Sequence, residues 1–587
     1  MSAKSLDRWL SELEASRYRF GPNQAASVVK LLNRLHARHF LDPPSLIRFH
    51  EALLFLRAFP QAPAVVRATE HILNSFHKKV EALRKTGAAM EDFDTFEFSG
   101  IAGTEMEDTL SFDVASWLIQ RMPGKVEIAW DNYEPGRELG TAGPRFIPLL
   151  EDDAYVEADT PWRRWLETAA GEAGGKKTAT PAWLISRFQQ LPLSAQQKAE
   201  IYESLRVPLR WTLGNSVISR TRNWRPGRSI FYHDQPLIRR SQVSLASELA
   251  SRPPKLTRLS RQQGEEIMDL IREVMLVRYR ELYGTTLGDP QSVVRADLGR
   301  HEAGCGVSIY LWNLPPERRL PLRAYTAGLT LKNGVPVNYI EAIGICEWIE
   351  VGFNTFYTFR GGETGWIYSQ VLRCLCHWMG ATCVSVYPYQ LGKDNEEAID
   401  SGAFWFYRKL GFRPGRADLQ RLAEREERKI AADSKYRTPA RTLRRLASDH
   451  AFYDLPSNEL PGSEVGAWDR FSTRNIGLRV SRRMARDFGG DAVLMRKHST
   501  RALERMLFPG SGGVSTSSWK PLEKAAFENF ALVLADVPGL SGWTQEEKED
   551  LVQIIRAKAK PDEMPYLHLT QRHRKLRKAL LRLGSLR

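Results

Sequence analysis

The residues best suited to chemistry lie in the middle of the chain. Arg360-Gly361-Gly362-Glu363-Thr364-Gly365 separates a strand-like apolar run from a helical one. Glycines at such a junction let the backbone approach a ligand closely. The first turn of the helix adds unpaired N–H groups and the positive end of its dipole, which together suit an anionic oxygen. Further on, Ala403-Phe404-Trp405-Phe406-Tyr407-Arg408-Lys409-Leu410-Gly411-Phe412 closes a helix on a glycine turn, with the phenol of Tyr407 among apolar neighbours. Before both, Glu341, Glu347 and Glu350 stand in or beside strand-like runs, and Glu341 is flanked by Ile340 and Ala342. A carboxylate so held is a usual type of general base.

A sheet and two helices must position these groups. Ile267, Met268, Leu270, Ile271, Val274, Met275 and Val277 recur at helical spacing and predict a helix running on to Tyr283. Alternation of Val307, Ile309 and Leu311 predicts a strand over 306–312. Another spans 323–331 and meets Asn333-Gly334, a strong hairpin signal, before a third over 337–346. One more strand-like run, 351–359, leads into the glycine loop. Trp366, Ile367, Val371, Leu372, Leu375 and Met379 then mark a helix that stops at Gly380. A strand over 382–386 and a helix over 398–410 complete the segment.

In element order and in two motifs, residues of about 256–415 resemble the GNAT N-acetyltransferase superfamily. The helix ending Ala403 to Phe412 is similar to the family's pattern of Ala, two variable positions, Phe-Tyr, a charged pair and Leu-Gly-Phe. The loop resembles the family's Arg or Gln, any two, Gly, any one, Gly or Ala, matching at Arg360 and Gly365. The departure is Glu363, which puts a carboxylate where the family has its middle glycine. The resemblance implies an α+β multidomain protein whose central mixed sheet has flanking helices. It implies acetyl-CoA or another acyl-CoA as substrate, with Arg360, Gly361, Gly362, Thr364 and Gly365 around its pyrophosphate. Tyr407 would protonate the departing thiolate, Glu341 would take the proton of an amine acceptor, and no metal is expected. Transfer from aminoacyl-tRNA, as in related transferases, is an alternative within the same class. From another class comes a non-catalytic GNAT-fold scaffold that binds nucleic acid or protein partners.

The whole chain sets the frame. At 587 residues it is too long for one core and suggests several domains. Hydrophobic residues make up 42% and charged ones 26%, an ordinary globular balance that excludes global disorder. The net charge of +15 favours anionic partners: nucleic acid, membrane headgroups or cofactor phosphates. All five cysteines fall between Cys305 and Cys383, in apolar contexts that argue against a disulfide framework. Cys374-Leu375-Cys376-His377 and the His36/His39 pair lack the further ligands a metal site needs. There is no apolar run long enough for a membrane span and no secretory signal, so the expected compartment is the cytoplasm.

Around the central segment the regions divide by pattern. Residues 1–90 predict helices, one through Val28, Leu31 and Leu35 and another starting at Pro43-Pro44. Residues 91–255 read as mixed α/β, with a linker near 172–181. They contain the stretch Arg206–Arg240, in which arginines alternate with Trp211, Trp224, Phe231 and Tyr232, a combination suited to nucleic acid. Residues 416–587 predict a basic, mainly helical region. Its last helix carries Leu576, Leu580 and Leu583 on one face and basic residues around them. A basic amphipathic end of this kind suits RNA, DNA or a membrane surface, unless its apolar stripe docks on the protein body.

Overall fold

Asn333 and Gly334 turn the chain with φ of 49° and 78°, the left-handed pair that a tight two-residue hairpin requires. They join β7 (Ala324–Lys332) to β8 (Val335–Ile345) at the centre of a nine-stranded sheet. The computed structural model describes residues 3–133, 137–149, 161–171, 178–227, 229–280, 286–298, 306–455, 465–508 and 516–585. Within them the protein is α+β, with this mixed sheet, a three-stranded sheet and helices around both.

The large sheet begins at its edge with β4 (Leu256–Arg258), β5 (Val294–Leu298) and β6 (Val307–Asn313), all antiparallel to their neighbours. β7 and β8 follow, then β9 (Trp348–Thr355), antiparallel to β8. The helix Thr364–Met379 crosses over and sets β10 (Cys383–Val386) parallel to β9. β12 (Ala451–Asp454) and the two-residue β11 (Arg413–Pro414) close the far edge. β9 and β10 pair only from Trp348 to Glu350 against Cys383 to Ser385. Past that point β9 continues to Thr355 with β8 as its only sheet neighbour, so the two parallel strands part company at their carboxyl ends.

Several expected elements shift. The run expected as a strand over 351–359 is β9 from Trp348, and Tyr357–Phe359 is a single turn of 3-10 helix. The helix expected over 398–410 breaks at Gly402, whose φ is 65°, into Glu396–Asp400 and Ala403–Arg408. The helix that starts at Arg261 ends at Leu276 rather than Tyr283. β4, β5, β11 and β12 are too short or too irregular in pattern to have been anticipated.

Residues 3–84 are helical, as the periodicity implies. Their core is continuous with that of the sheet: Leu53, Phe55 and Phe59 belong to one buried cluster with Val274, Leu329 and Ile340. The change near residue 90 is therefore one of element type, not a break in packing. A second core, around Leu118, Phe188 and Trp211, surrounds the small sheet β1-β3-β2, built from Glu105–Thr109, Pro208–Thr212 and Val126–Ile128. Of the expected linker, 172–177 lie outside the described residues. Thr180 and Pro181 are buried in the first turn of the helix Ala179–Gln190.

In the Arg206–Arg240 stretch three arginines meet acids. Arg210 pairs with Glu107 at 2.8 Å and Asp131 at 2.7 Å, and Arg225 with Glu273 at 2.8 Å. Arg220 is buried 3.7 Å from Glu51 and also donates to the Glu97 carbonyl. Trp211 is in the core, and Trp224 donates to the Asn333 carbonyl. Arg228 lies outside the described residues. Acids distant in sequence thus neutralise Arg210, Arg220 and Arg225, whereas Arg222 bonds Asn74 and Arg240 the Lys409 carbonyl, and the indoles serve packing.

The C-terminal region, 416–587, is mainly helical but gives β12 to the large sheet, so that sheet extends past the expected boundary at 415, and the last helices dock on it. Its last helix, Arg574–Gly584, buries Leu576, Leu580 and Leu583. Arg577 reaches Glu347 at 2.5 Å, while Gln571 donates to the carbonyls of Cys346 and Met379. No helix among the described residues is long and apolar enough to cross a membrane.

Candidate functional site

Where β9 and β10 separate, two hydrogen-bond donors converge on one oxygen. The Tyr407 phenol donates to Gln390 Oε1 at 3.1 Å, and the backbone N–H of Phe353 donates to the same atom at 3.4 Å. Phe353 is free to do so because β9 has lost its parallel neighbour by that residue. Gln390 lies just past the carboxyl end of β10, in the crevice that parallel strands open at such ends. The helix Ala403–Arg408 brings Tyr407 in, and Tyr368 from the crossover helix braces it with ring centroids 5.6 Å apart. Burial pushes the Tyr407 phenol well above its ordinary pKa, so it keeps its proton and remains a donor.

Glu341 is on the neighbouring strand, β8. It lies opposite Gly352 in the β8–β9 register and accepts a short hydrogen bond from the Tyr325 hydroxyl. A Cβ at Gly352 would sit 2.8 Å from Gln390 Nε2 and 3.8 Å from the Glu341 Cβ. The missing side chain is thus what lets the Gln390 amide lie against β9. The other two glutamates are committed elsewhere. Glu347 is buried, accepting from Trp468 Nε1 at 2.7 Å and Arg577 Nε at 2.8 Å. Glu350 holds His450 at 2.8 Å and lies 3.8 Å from Arg323.

The glycine loop is built against the N-terminal helices. Glu363 turns inward, pairing with Lys332 at 3.0 Å where both side chains are buried, and it accepts the Ile238 N–H at 3.2 Å. Its charge is therefore neutralised inside the protein and does not face a ligand on the loop's outer side. The helix that starts at Thr364 has no side-chain cap. The glycines are also needed for packing. A Cβ at Gly361 would lie 2.1 Å from Tyr18 Oη, at Gly362 2.6 Å from the Phe59 ring, and at Gly365 3.0 Å from the Arg240 side chain. Gly361 is nevertheless exposed, as is Arg360, which stacks 3.8 Å over the Tyr357 ring and pairs with Glu397. Thr364 bonds back to the Arg360 carbonyl at 3.3 Å. Glu51, on the helix Pro43–Ala58, accepts from Thr358 and ties the approach to the loop to the N-terminal region.

Tyr407 thus reaches the Gln390 oxygen at the crevice, Glu341 stands on the adjacent strand bonded to Tyr325, and Gly361, Gly362 and Gly365 pack against Tyr18, Phe59 and Arg240. Gln390, Tyr325 and Lys332 escape a reading of the sequence, and Arg240 is marked there only as part of the arginine-rich stretch, not as a neighbour of the glycine loop. Only Gln390 carries a usable signal, its place directly after a strand, and that becomes informative once β10 is known to lie parallel to β9. A hollow of about 1200 Å³ beside β5 and β6, lined by Arg225, Arg295, Asp297 and Asn333, includes none of these groups. Burial pushes the Cys374 and Cys376 thiols up to about 12, which leaves them unreactive. Among the described residues no group of three or more His, Cys, Asp or Glu side chains is arranged to hold a metal.

No protein-family model matches the chain, and neither the curated proteins nor the solved structures searched contain a match to it.

Proposed function

We propose that the crevice between β9 and β10 transfers an acyl group from an acyl-CoA thioester to an amine, in the manner of the GNAT superfamily that the motifs resemble. The observation that carries this reading is the convergence of the Phe353 N–H and the Tyr407 phenol on one oxygen position, with Glu341 on the adjacent strand opposite Gly352. With the Gln390 amide displaced, the thioester would occupy that position. The Phe353 N–H donates to the carbonyl oxygen as it becomes negative, the type of stabilisation that accelerates acyl transfer most. The amine nitrogen forms its bond to the carbonyl carbon as the carbon–sulfur bond breaks. Glu341 accepts the amine proton, and Tyr407 gives its proton to the thiolate, so that amide and free thiol leave. The inward Glu363 removes the repulsion that its position in the motif implies, and the uncapped helix at Thr364 supplies donors for phosphate.

A second reading is a non-catalytic scaffold. Tyr18 and Phe59 over Gly361 and Gly362 favour it, because they make the loop a packing surface for the N-terminal helices. Calorimetric titration of nuclease-treated protein with acetyl-CoA separates the two. Micromolar binding that Arg360→Ala weakens supports the transferase. Absence of heat with acetyl-CoA and longer acyl-CoAs rejects it and leaves the scaffold.

A further inference from the structure

The last helix, Arg574–Gly584, buries its apolar stripe and lies alongside the helix Thr473–Phe488. The start of one meets the end of the other, where Phe471 pairs with Ser585 and the Ser472 N–H bonds the Gly584 carbonyl. Between them runs a groove of about 740 Å³. Arg479 and Arg486 line it from one helix, and Lys575, Lys578 and Arg582 from the other, against a single carboxylate, Asp536.

Three of these five cations, Arg479, Lys578 and Arg582, have no ion-pair or hydrogen-bond partner among the described residues. The remaining two are engaged. Lys575 pairs with Glu547 at 2.7 Å, and Arg486 with Asp487 at 2.6 Å. Asp536 lies 3.9 Å from Arg483, a sixth cation outside the group of five, and it also acts on Arg486 within the group. Each row, Arg479 to Arg486 and Lys575 to Arg582, extends about 10 Å along its helix at the α-helical rise. Arg479 on one helix and Lys578 and Arg582 on the other leave a net positive field across the channel for whatever lies in it.

We propose that this groove binds the phosphodiester backbone of a nucleic-acid strand. It is concave, so a strand can lie in it with phosphates between the rows. Leu576, Leu580 and Leu583 face the protein interior, so the helix has no apolar face to insert into a bilayer, as an interfacial helix must. The inference is independent of acyl transfer, since no group of the β9–β10 crevice lines the groove.

The test uses full-length, nuclease-treated protein and fluorescein-labelled 20-mers of single-stranded RNA and DNA, read by anisotropy from 50 to 300 mM salt. Wild type is expected to bind either or both strands, with a log–log salt slope of roughly −3 to −4. The triple variant Arg479→Glu/Lys578→Glu/Arg582→Glu should weaken binding by at least about tenfold and make the slope shallower by about one for each charge removed. The charge-conserving Arg479→Lys/Arg582→Lys should bind nearly as wild type, which excludes misfolding as the cause. Binding by RNA alone or DNA alone supports the proposal and identifies the strand. It is overturned if neither strand binds, if the triple variant binds as wild type, or if phosphatidylserine vesicles bind and the oligonucleotides do not.

Discussion

Lys332 and Glu363 form an ion pair 3.0 Å long with both side chains buried, joining the end of β7 to the glycine loop. The ammonium also lies 5.1 Å from the Phe59 ring and 5.2 Å from the Phe231 ring. Two remote segments therefore close over one charge pair, and the loop takes its shape from that closure. Removing one partner leaves an uncompensated buried charge. Lys332→Ala should destabilise the protein by about 3–5 kcal/mol, whereas Lys332→Met/Glu363→Gln should cost much less, because no charge is stranded. Urea denaturation of both variants measures this. Equal losses would show that the pair matters through volume alone.

Tyr407→Phe retains the ring packing on Tyr368 and removes only the proton donor. Under the proposed reaction it should lower kcat roughly 10²-fold while leaving the KM for acyl-CoA within about twofold. Because burial keeps this phenol protonated, the wild-type rate should show no decline from its ionisation up to about pH 10. An inflection near the ordinary phenol value, absent in Tyr407→Phe, would contradict the protonated donor.

Gln390 occupies the oxygen position in the structure, so it competes with a thioester for the same donors. Gln390→Ala should cost about 1 kcal/mol of stability through its lost hydrogen bonds. The same change should tighten acetyl-CoA binding in calorimetry. Weaker binding in this variant would mean that the amide positions the ligand instead of standing in for it.

His450 joins β12 to Glu350 on β9. Burial disfavours its charged form, but hydrogen bonds to Asp449 and Glu350 outweigh this and raise its pKa to about 9. A folded-state pKa above the unfolded value stabilises the protein fully below about pH 6.5. That contribution fades as pH rises through 9. Denaturation at pH 6 and pH 9.5 should differ by on the order of 2 kcal/mol in wild type, and this difference should shrink in His450→Gln. An unchanged pH dependence in the variant would place the linkage on another group.

Arg577→Ala would strand the Glu347 carboxylate beneath the last helix, with Trp468 Nε1 as its remaining donor. A loss of about 3 kcal/mol is expected, together with faster proteolysis of residues 565–585. Acyl-CoA binding should be unaffected, because Glu347 is not in the β9–β10 crevice. A binding defect would connect the docking of the C-terminal helix to the site.

What the sequence by itself determined was local. Alternation of Val307, Ile309 and Leu311, the Asn333-Gly334 turn and the stop at Gly380 depend on neighbours a few residues away, and those elements stand where the pattern implies. Tyr407 and Glu341 were legible as candidates because a motif and an apolar flank mark them. The tertiary structure decided which charges remain available. Arginines between Arg206 and Arg240 read as a polyanion surface, yet Glu107, Asp131 and Glu273 neutralise Arg210 and Arg225 from far along the chain. Glu363 read as a repulsive intruder, yet Lys332 takes it inward. Glu341, Glu347 and Glu350 are alike in sequence, and only packing gives one to the Tyr325 hydroxyl, one to Arg577 and one to His450. Coulomb and hydrogen-bond energies depend on distance in space, which the order of residues does not encode; backbone periodicity it does.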